Sequence, residues 1–196
     1  MTDSPVVLPL APDAPEPSVP SPVHVMVDLE TFGRRPGAVI RSLGAVKFTK
    51  DGILDRFHVG VELASALSAG LRIEADTLSW WMHPDQRDAL NALNALEAVD
   101  IGSALMGFSE WCGTAPFAIW GNSAKFDLGI LEAAYTACDF FPPWHPRDER
   151  CYRTINTLFG ESVAYEPVAQ PHVAVADAEW QAKRLIRVLD GSPAQW

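Results

Sequence analysis

The stretch "HVMVDLETFG", residues 24–33, has the pattern of a buried β-strand that carries two carboxylates near its end. Because side chains alternate between the two faces of a strand, Asp28 and Glu30 point to the same side, together with Met26. Like charges so close together repel each other unless water, a cation or a shifted pKa relieves the repulsion. The strand therefore predicts an electrostatic cost that another part of the chain has to explain. The apolar residues of its opposite face are Val25, Val27 and Leu29.

The composition is that of a soluble globular protein. The chain has 196 residues, of which 48% are hydrophobic and 20% charged, enough to bury one core of ordinary size. No apolar run is long enough to cross a membrane, and the N-terminus has no basic segment of the kind that opens a signal peptide. We therefore expect a single domain in the cytoplasm.

Charge and cysteine content exclude several classes of site. The formal net charge of −10 argues against a broad basic surface that coats nucleic acid, so any nucleic-acid partner has to be bound locally. The three cysteines, Cys112, Cys138 and Cys151, are too few and too scattered for a disulfide framework or a zinc site with paired ligands.

The chain divides into a tail, a domain and a short end. Residues 1–22 are rich in proline and lack the spacing of a helix or strand, which predicts a disordered tail. The domain is predicted over residues 23–190, and residues 191–196 form a C-terminal tail.

Within the domain, the patterns predict three strands, then helices, a fourth strand, a helix and a final amphipathic helix. An Asp51-Gly52 turn joins the second and third strands into an antiparallel meander. This order predicts an α/β fold with a mixed sheet flanked by helices. Helices are expected in residues 74–93, interrupted around Pro84, and in residues 98–113, 124–139 and 175–190. Residues 151–160 have room for a short strand followed by a helix.

Two further acids lie near the starts of helices, and one of them directly follows a strand, where enzymes built on a sheet often have catalytic groups. Asp127 follows the strand "FAIWGN" at the mouth of a helix. Asp177 lies near the start of the last helix, five residues after His172. A five-residue step within a helix would put the two on different faces, so His172 has to lie in the preceding loop if both serve one site.

These segments resemble a known superfamily. "VDLET", "WGNSAKFD" and "HVAVAD" are similar to the three motifs of the DnaQ-like, or DEDD, 3′-to-5′ exonucleases, with the four acids at Asp28, Glu30, Asp127 and Asp177. His172 stands five residues before the last acid, as in the DEDDh branch. The segments "RPGAVIRSLGAVKF", "ADTLSWWM" and "DERCYRTINTL" resemble the bacterial and phage Rv2179c-like exoribonuclease group, and the resemblance spans about residues 24–190. One departure is visible, since "WGNSAKFD" lacks the histidine that many relatives have before the asparagine.

The resemblance implies an RNase H-like fold and a metal-dependent 3′-to-5′ exonuclease. Such an enzyme would act on single-stranded 3′ ends or overhangs of DNA or RNA and release nucleoside 5′-monophosphates. Asp28, Glu30 and Asp177 would bind one Mg²⁺ ion, and Asp28 would be shared with a second ion held by Asp127. Four acids without a cysteine cluster suit Mg²⁺, and Mn²⁺ is expected to substitute. His172 would act as the general base.

Several residues near the acids are candidates for substrate contacts, but some of them could instead belong to the hydrophobic core. Thr31 and Phe32 follow the acids and are expected either to meet the terminal nucleotide or to serve a turn and the core. Trp80 and Trp81 are adjacent on a predicted helix, so one belongs to the core and the other is free to stack on a base. The candidate substrate-binding residues are Thr31, Phe32, Trp81, Asn122 and Arg153.

Rival interpretations remain for the acids and for the whole domain. Each acid alone has an ordinary explanation: a solvent-facing strand end for Asp28 and Glu30, a helix N-cap for Asp127 and a first-turn acid for Asp177. The domain could also be a non-catalytic binding module that keeps the exonuclease fold, or an acidic mimic of nucleic acid. Dimers are common among relatives, so the resemblance allows a homodimer.

Overall fold

The computed structural model describes residues 21–191, and in them a single sheet of six strands lies between helices. The strands are β1 His24–Thr31, β2 Ile40–Thr49, β3 Gly52–Val61, β4 Ala98–Val99, β5 Ala118–Gly121 and β6 Glu149–Cys151. The α-helices are α1 Leu63–Ser68, α2 Ala75–Trp81, α3 Arg87–Ala95, α4 Ile101–Cys112, α5 Asp127–Ala137, α6 Tyr152–Phe159 and α7 Ala174–Asp190. Short 3₁₀ turns occupy Pro84–Gln86, Pro146–Asp148 and Gly160–Ser162.

The sheet is mixed, with the strand order β4-β3-β2-β1-β5-β6. Strands β1, β2 and β3 form an antiparallel meander, whereas β5 runs parallel to β1, and β6 runs parallel to β5. The carboxyl ends of β1 and β5 therefore lie at the same edge of the sheet, where side chains from the two following segments meet. The predicted mixed sheet flanked by helices is confirmed.

The alternation predicted for β1 separates two cores. Val25, Val27 and Leu29 are buried in the larger core, which includes residues of α4 and α5. Met26 is buried on the other face, in a smaller core with Ala178 and Ala182 of α7. The odd-numbered and even-numbered side chains of β1 therefore face different helical layers, and the two acids face the layer that contains α7.

The predicted helices all form close to their expected positions. The interruption at Pro84 is a 3₁₀ turn, and Gly113, with a φ of 75°, ends α4. Two elements were not predicted: α1 has only six residues, and β4 has only two. Segments this short carry too few residues for a periodic pattern to emerge in the sequence.

Several predictions concern features beyond this fold. The proline-rich tail falls largely on residues 1–20, and most of the C-terminal tail on residues 192–196, which lie outside the described residues. Within residues 21–191, none of the helices combines the length and the apolar character needed to span a membrane. The cytoplasmic location and the homodimer stay predictions.

Gly44 lets α7 approach the sheet. In the register of β1 and β2, Gly44 lies directly opposite Asp28. A Cβ atom at this position would lie 2.1 Å from the backbone nitrogen of Val175 and 2.3 Å from the backbone carbonyl carbon of Ala174. Because backbone atoms of a packed helix cannot yield as a flexible side chain does, only glycine permits this contact. The first turn of α7, with Asp177, is thereby brought next to β1.

Replacing Gly44 with alanine is therefore expected to destabilise the protein. The added methyl group has to push α7 away from the sheet, at a cost of roughly 1–3 kcal/mol in the free energy of unfolding. Gly107→Ala is the matched control, since its methyl group meets no atom closer than 3.8 Å and lies within α4. That control should be neutral or more stable by roughly 0.5–1 kcal/mol. Equilibrium urea unfolding measures both, and wild-type stability of Gly44→Ala would contradict the close approach.

Candidate active site

The candidate site is a cleft of about 580 Å³ at the carboxyl ends of β1 and β5. Its size is typical of a site for a small ligand or a nucleotide-sized group. The four predicted acids and His172 line this cleft, although they come from distant parts of the chain. The acids are Asp28, Glu30, Asp127 and Asp177.

Three of these acids form a compact cluster. Asp28, Glu30 and Asp177 each offer a carboxylate oxygen, and these oxygens lie within 4.8 Å of one another. The strand supplies Asp28 and Glu30 on one face, and the first turn of α7, resting on the glycine of β2, supplies Asp177. Such a set of oxygen donors fits a hard divalent cation.

Asp127 lies beside the cluster and is held by the backbone after β5. It is 2% exposed, and its Oδ2 accepts a hydrogen bond from the backbone N–H of Ser123 at 3.2 Å. A Cβ atom at Gly121 would lie 2.9 Å from the same Oδ2, so the strand end has to be glycine for the carboxylate to pack there. Asp127 is the first residue of α5, one position after the N-cap residue Phe126.

Burial raises the pKa values of all four acids, and repulsion by neighbouring carboxylates adds to the shifts of two of them. Burial, and then the charges of Asp127 and its other acidic neighbours, raise the pKa of Asp28 well above its ordinary value. Burial, reinforced by Asp177, raises the pKa of Glu30 to about 8. Burial raises the pKa of Asp127 to about 7 and also raises that of Asp177. In the absence of a cation, the cleft therefore disfavours the fully ionised state that a cation would require.

The burial of Glu30 argues against the interpretation that the acids on β1 are solvent-facing residues at a strand end. Glu30 is only 7% exposed, so it is not a solvent-facing strand end. Burying a carboxylate is costly unless it is paired or binds a metal, and no ion pair to Glu30 is found within residues 21–191.

Gln181 is a site residue that the sequence reasoning missed. Its amide Nε2 donates a hydrogen bond to Oδ1 of Asp28 at 2.9 Å, which favours the ionised form and opposes the rise in the Asp28 pKa. Gln181 is 4% exposed and lines the cleft. It stands four residues after Asp177 on α7, and this spacing puts both on one helix face, a signal that was present in the sequence.

His172 lies in the loop before α7, as the spacing required. Its φ of 61° is in the left-handed region, and its ring makes edge contacts with Trp80 and Trp81 at centroid distances of 5.1 Å and 6.4 Å. The backbone N–H groups of His172 and Val173 favour the ionised form of Asp177 and so lower its pKa against the effect of burial. His172 and Asp177 are thus connected through the first turn of the helix.

Phe32 is a correction to the predicted substrate contacts. Strict alternation would have placed it on the face of Asp28 and Glu30, but the pairing of β1 with β2 shifts its register between Glu30 and Thr31. Phe32 consequently lies in the larger core, 7% exposed, with the guanidinium of Arg41 over its ring. Its ring does not line the cleft.

The two adjacent tryptophans differ in exposure, as their positions on one helix predict. Trp81 is 2% exposed, and its indole Nε1 donates a hydrogen bond to the carbonyl of Thr31 at 2.9 Å. Trp80 is 42% exposed, and both tryptophans line the cleft. Trp81 is therefore the core residue, and Trp80 presents the open ring surface.

Thr31, Asn122 and Arg153 do line the cleft. Thr31 is buried and its hydroxyl donates to the Gly33 carbonyl at 2.6 Å, which is a turn role. Arg153 is exposed, and its charge helps to lower the pKa of Asp127 against burial. Arg34, which was not predicted, adds a second cationic side chain to the cleft lining. Contacts of these residues with a substrate stay predictions.

Solved structures of exonucleases share this fold. The chain is similar to E. coli exonuclease I in complex with a dT13 oligonucleotide, with a TM-score of 0.63 and 13% identity over 88% of this chain and 42% of that one. It is also similar to the nuclease domain of 3′hExo, a DEDDh family member, bound to rAMP, with a TM-score of 0.54 and 15% identity over 87% and 93% of the two chains. The cell-death related nuclease 4 has a TM-score of 0.56 and 15% identity over 87% and 64%. This chain thus spans less than half of exonuclease I. The predicted RNase H-like, DnaQ-like fold is confirmed.

A comparison with curated proteins gives no match. A family model does match, and it covers residues 23–189, almost the whole of the predicted domain. The motifs on β1, on α5 and before α7 had indicated the same group. The chain belongs to the family of 3′-5′ exoribonuclease Rv2179c-like domains.

Proposed function

We propose that this protein is a metal-dependent 3′-to-5′ exonuclease that removes nucleoside 5′-monophosphates from single-stranded 3′ ends. The observation that carries the proposal is the meeting of four buried or half-buried acids and one histidine in a single cleft. A binding module without catalysis would have no need to keep four carboxylates whose pKa values are raised by burial.

The acids are suited to holding two divalent cations. Asp28, Glu30 and Asp177 would hold one Mg²⁺, and Asp28 and Asp127 would hold a second, with Mn²⁺ able to substitute. Such ions, when bound, supply the activation of a water molecule and the neutralisation of negative charge on the phosphate and the leaving oxygen. The Gln181 amide orients Asp28 and favours its ionised form.

His172 would accept the proton from the attacking water. The water oxygen forms the new bond to phosphorus while the bond between phosphorus and the 3′ oxygen of the preceding nucleotide breaks. The leaving 3′ oxygen gains a proton, so the products are a shortened strand with a 3′ hydroxyl and a nucleoside 5′-monophosphate. An imidazole is suited to this step because it exchanges protons near neutral pH.

The cleft is suited to contacting only a few nucleotides of the substrate. Arg34 and Arg153 are the cationic side chains that line it among the described residues, and Asn122 offers an amide beside them. With a net charge of −10 for the whole chain, attraction of a polyanion has to come from these arginines and the bound cations. Both RNA and DNA fit this description: the family's name favours RNA, whereas exonuclease I was solved with a DNA strand.

The decisive assay uses a 5′-labelled single strand in matched RNA and DNA versions with Mg²⁺ or Mn²⁺. We expect stepwise shortening from the 3′ end, release of nucleoside 5′-monophosphate and complete inhibition by EDTA. Asp28→Asn should lower the rate by more than about 100-fold, since even residues that only orient a ligand cost about 10–100-fold. The control is Glu132→Gln, an exposed acid on the outer face of α5. Activity of Asp28→Asn at the wild-type rate, or no product from either strand, would refute the proposal.

The stability of the metal-free protein should fall as the pH rises from about 7 to about 9. The folded-state pKa of Glu30 is about 8, above its ordinary value of 4.5, so the protonated form favours folding and this contribution is lost as the pH passes about 8. For Glu30 alone the loss over this range is about 1.4 kcal/mol in the free energy of unfolding. Excess Mg²⁺ should offset it, because binding only the folded state adds about 2.7 kcal/mol at a concentration near 100 times Kd.

Chemical denaturation at several pH values, with and without Mg²⁺, measures this effect. Glu30→Gln should flatten the pH dependence and weaken the stabilisation by Mg²⁺, whereas Glu132→Gln should do neither. A pH dependence that is the same in wild type and Glu30→Gln would contradict the assignment.

Arg153 should contribute to binding of the phosphate backbone. Arg153→Ala is expected to raise KM and to reduce the slope of log binding affinity against log salt by about 1, the change for one lost phosphate contact. Arg147→Ala is the control, because Arg147 is also exposed but does not line the cleft. Titrations of a labelled strand in Ca²⁺ at several salt concentrations give the slope, and equal slopes for the two variants would exclude this role.

A further inference from the structure

His172 is held in an unfavourable backbone conformation. Its φ of 61° lies in the left-handed region, which among the described residues only Asp139 shares outside the glycines. The residue also stands at the end of a segment, residues 163–173, that contains neither helix nor strand. A side chain in such a segment keeps one orientation only if its surroundings fix it.

A chain of aromatic contacts connects His172 to the end of β1. The ring of Trp80 lies 5.1 Å from that of His172 at an angle of 79°, and Trp80 lies 5.1 Å from Trp81, again at 79°. Trp81 in turn makes an edge contact with Phe32 at 6.3 Å. Edge contacts of this kind are favourable and depend on ring orientation.

The inner end of this chain is rigid. Trp81 is buried and donates its indole hydrogen bond to the carbonyl of Thr31, the residue directly after Glu30. The helix that carries both tryptophans is tied to the same place, because the backbone N–H of Glu74 donates to the carbonyl of Phe32 at 2.7 Å. Trp80 therefore projects towards His172 from a base fixed to the strand that bears two of the acids.

The main chain and the ring of His172 have separate restraints. The backbone N–H of His172 interacts with the Asp177 carboxylate, which fixes the main chain but leaves the ring free to turn. Trp80 contacts the ring itself, and so does Trp81 at the longer distance of 6.4 Å. Of the two, Trp80 is the closer.

We propose that Trp80 is a positioning residue that holds the His172 imidazole in the orientation required for proton transfer. The inference rests on the proposed function, in which His172 is the general base. A proton acceptor displaced by about 1 Å can cost about 100-fold in rate, so loosening this ring should act on kcat. The competing role is direct stacking of a substrate base on the exposed ring of Trp80, which would act on KM.

Kinetics on a single-stranded substrate separate the two roles. Trp80→Leu and Trp80→Ala should lower kcat about 10–100-fold with little change in KM, whereas Trp80→Phe, which keeps an aromatic edge, should retain most of the rate. Met82→Ala is the control, since Met82 follows α2, is 72% exposed and does not line the cleft. A raised KM with unchanged kcat in Trp80→Leu would overturn the proposal in favour of base stacking.

A double-mutant cycle tests whether Trp80 acts through His172. If it does, Trp80→Leu should have almost no further effect on kcat in a His172→Ala background. A loss as large as in the wild-type background would overturn the proposal. Trp80→Leu replaces a partly exposed ring by another large apolar side chain, and thermal unfolding checks that each variant is folded.

A second measurement does not need nuclease activity. In a ¹H–¹³C spectrum of the histidine rings with Mg²⁺ present, the His172 signal is identified by its loss in His172→Ala. In Trp80→Leu this signal should lose its ring-current shift and broaden, and in Met82→Ala it should not change. An unchanged His172 signal in Trp80→Leu would refute the contact. Absence of nuclease activity in the wild type would instead refute the proposed function, so the two failures are distinguishable.

Discussion

Repulsion among carboxylates that are withdrawn from water is the constraint on which the cleft depends. Burial raises the pKa values of all four acids, and repulsion by the neighbouring carboxylates adds to the shifts of Asp28 and Glu30. The fold reduces this cost with donors rather than with buried cations: the Gln181 amide at Asp28, and the backbone N–H of Ser123 at Asp127. Amide and backbone donors stabilise a carboxylate without occupying the space in which a divalent cation would bind. The cleft therefore keeps open the space in which a divalent cation would bind the carboxylates.

The two glycines of the site show how the backbone serves this arrangement. Gly44 lets the first turn of α7 rest on the sheet opposite Asp28, and Gly121 leaves room for the Asp127 carboxylate beside the end of β5. Both positions lie within strands, where glycine usually weakens the structure. At Gly44 this loss accompanies a close approach of backbone atoms that no other residue permits, and at Gly121 a side chain would displace the Asp127 carboxylate. Neither close approach could be deduced from the sequence, because each depends on how the chain folds back on the glycine. The partner of Gly44 is the start of α7, and the partner of Gly121 is the first residue of α5.

The sequence predicted which acids and which histidine meet in the cleft, but it predicted the aromatic contacts poorly. Strand alternation alone put Asp28 and Glu30 on one face, and the spacing of His172 and Asp177 required the histidine to be in a loop. Phe32 was misplaced because a register shift after Glu30 turns it into the larger core, and bulges leave no clear signal in a single sequence. The choice between Trp80 and Trp81 depends on the rotation of a seven-residue helix about its axis, which two adjacent tryptophans do not reveal. The role of Gln181, by contrast, was accessible from its spacing to Asp177.

The acidic character of the chain and a polyanionic substrate are compatible if attraction is confined to the cleft. Exposed charges farther away than about 8–10 Å are largely screened at physiological ionic strength, so most of the surface acids have little effect on a phosphate inside the cleft. Arg34 and Arg153 line the same cleft as the acids, and two bound divalent cations would contribute four positive charges to a site with four carboxylates. The carboxylates would then be neutralised, and the arginines would leave a net positive potential for the phosphate. Binding of the substrate, and not only catalysis, would accordingly depend on the metal.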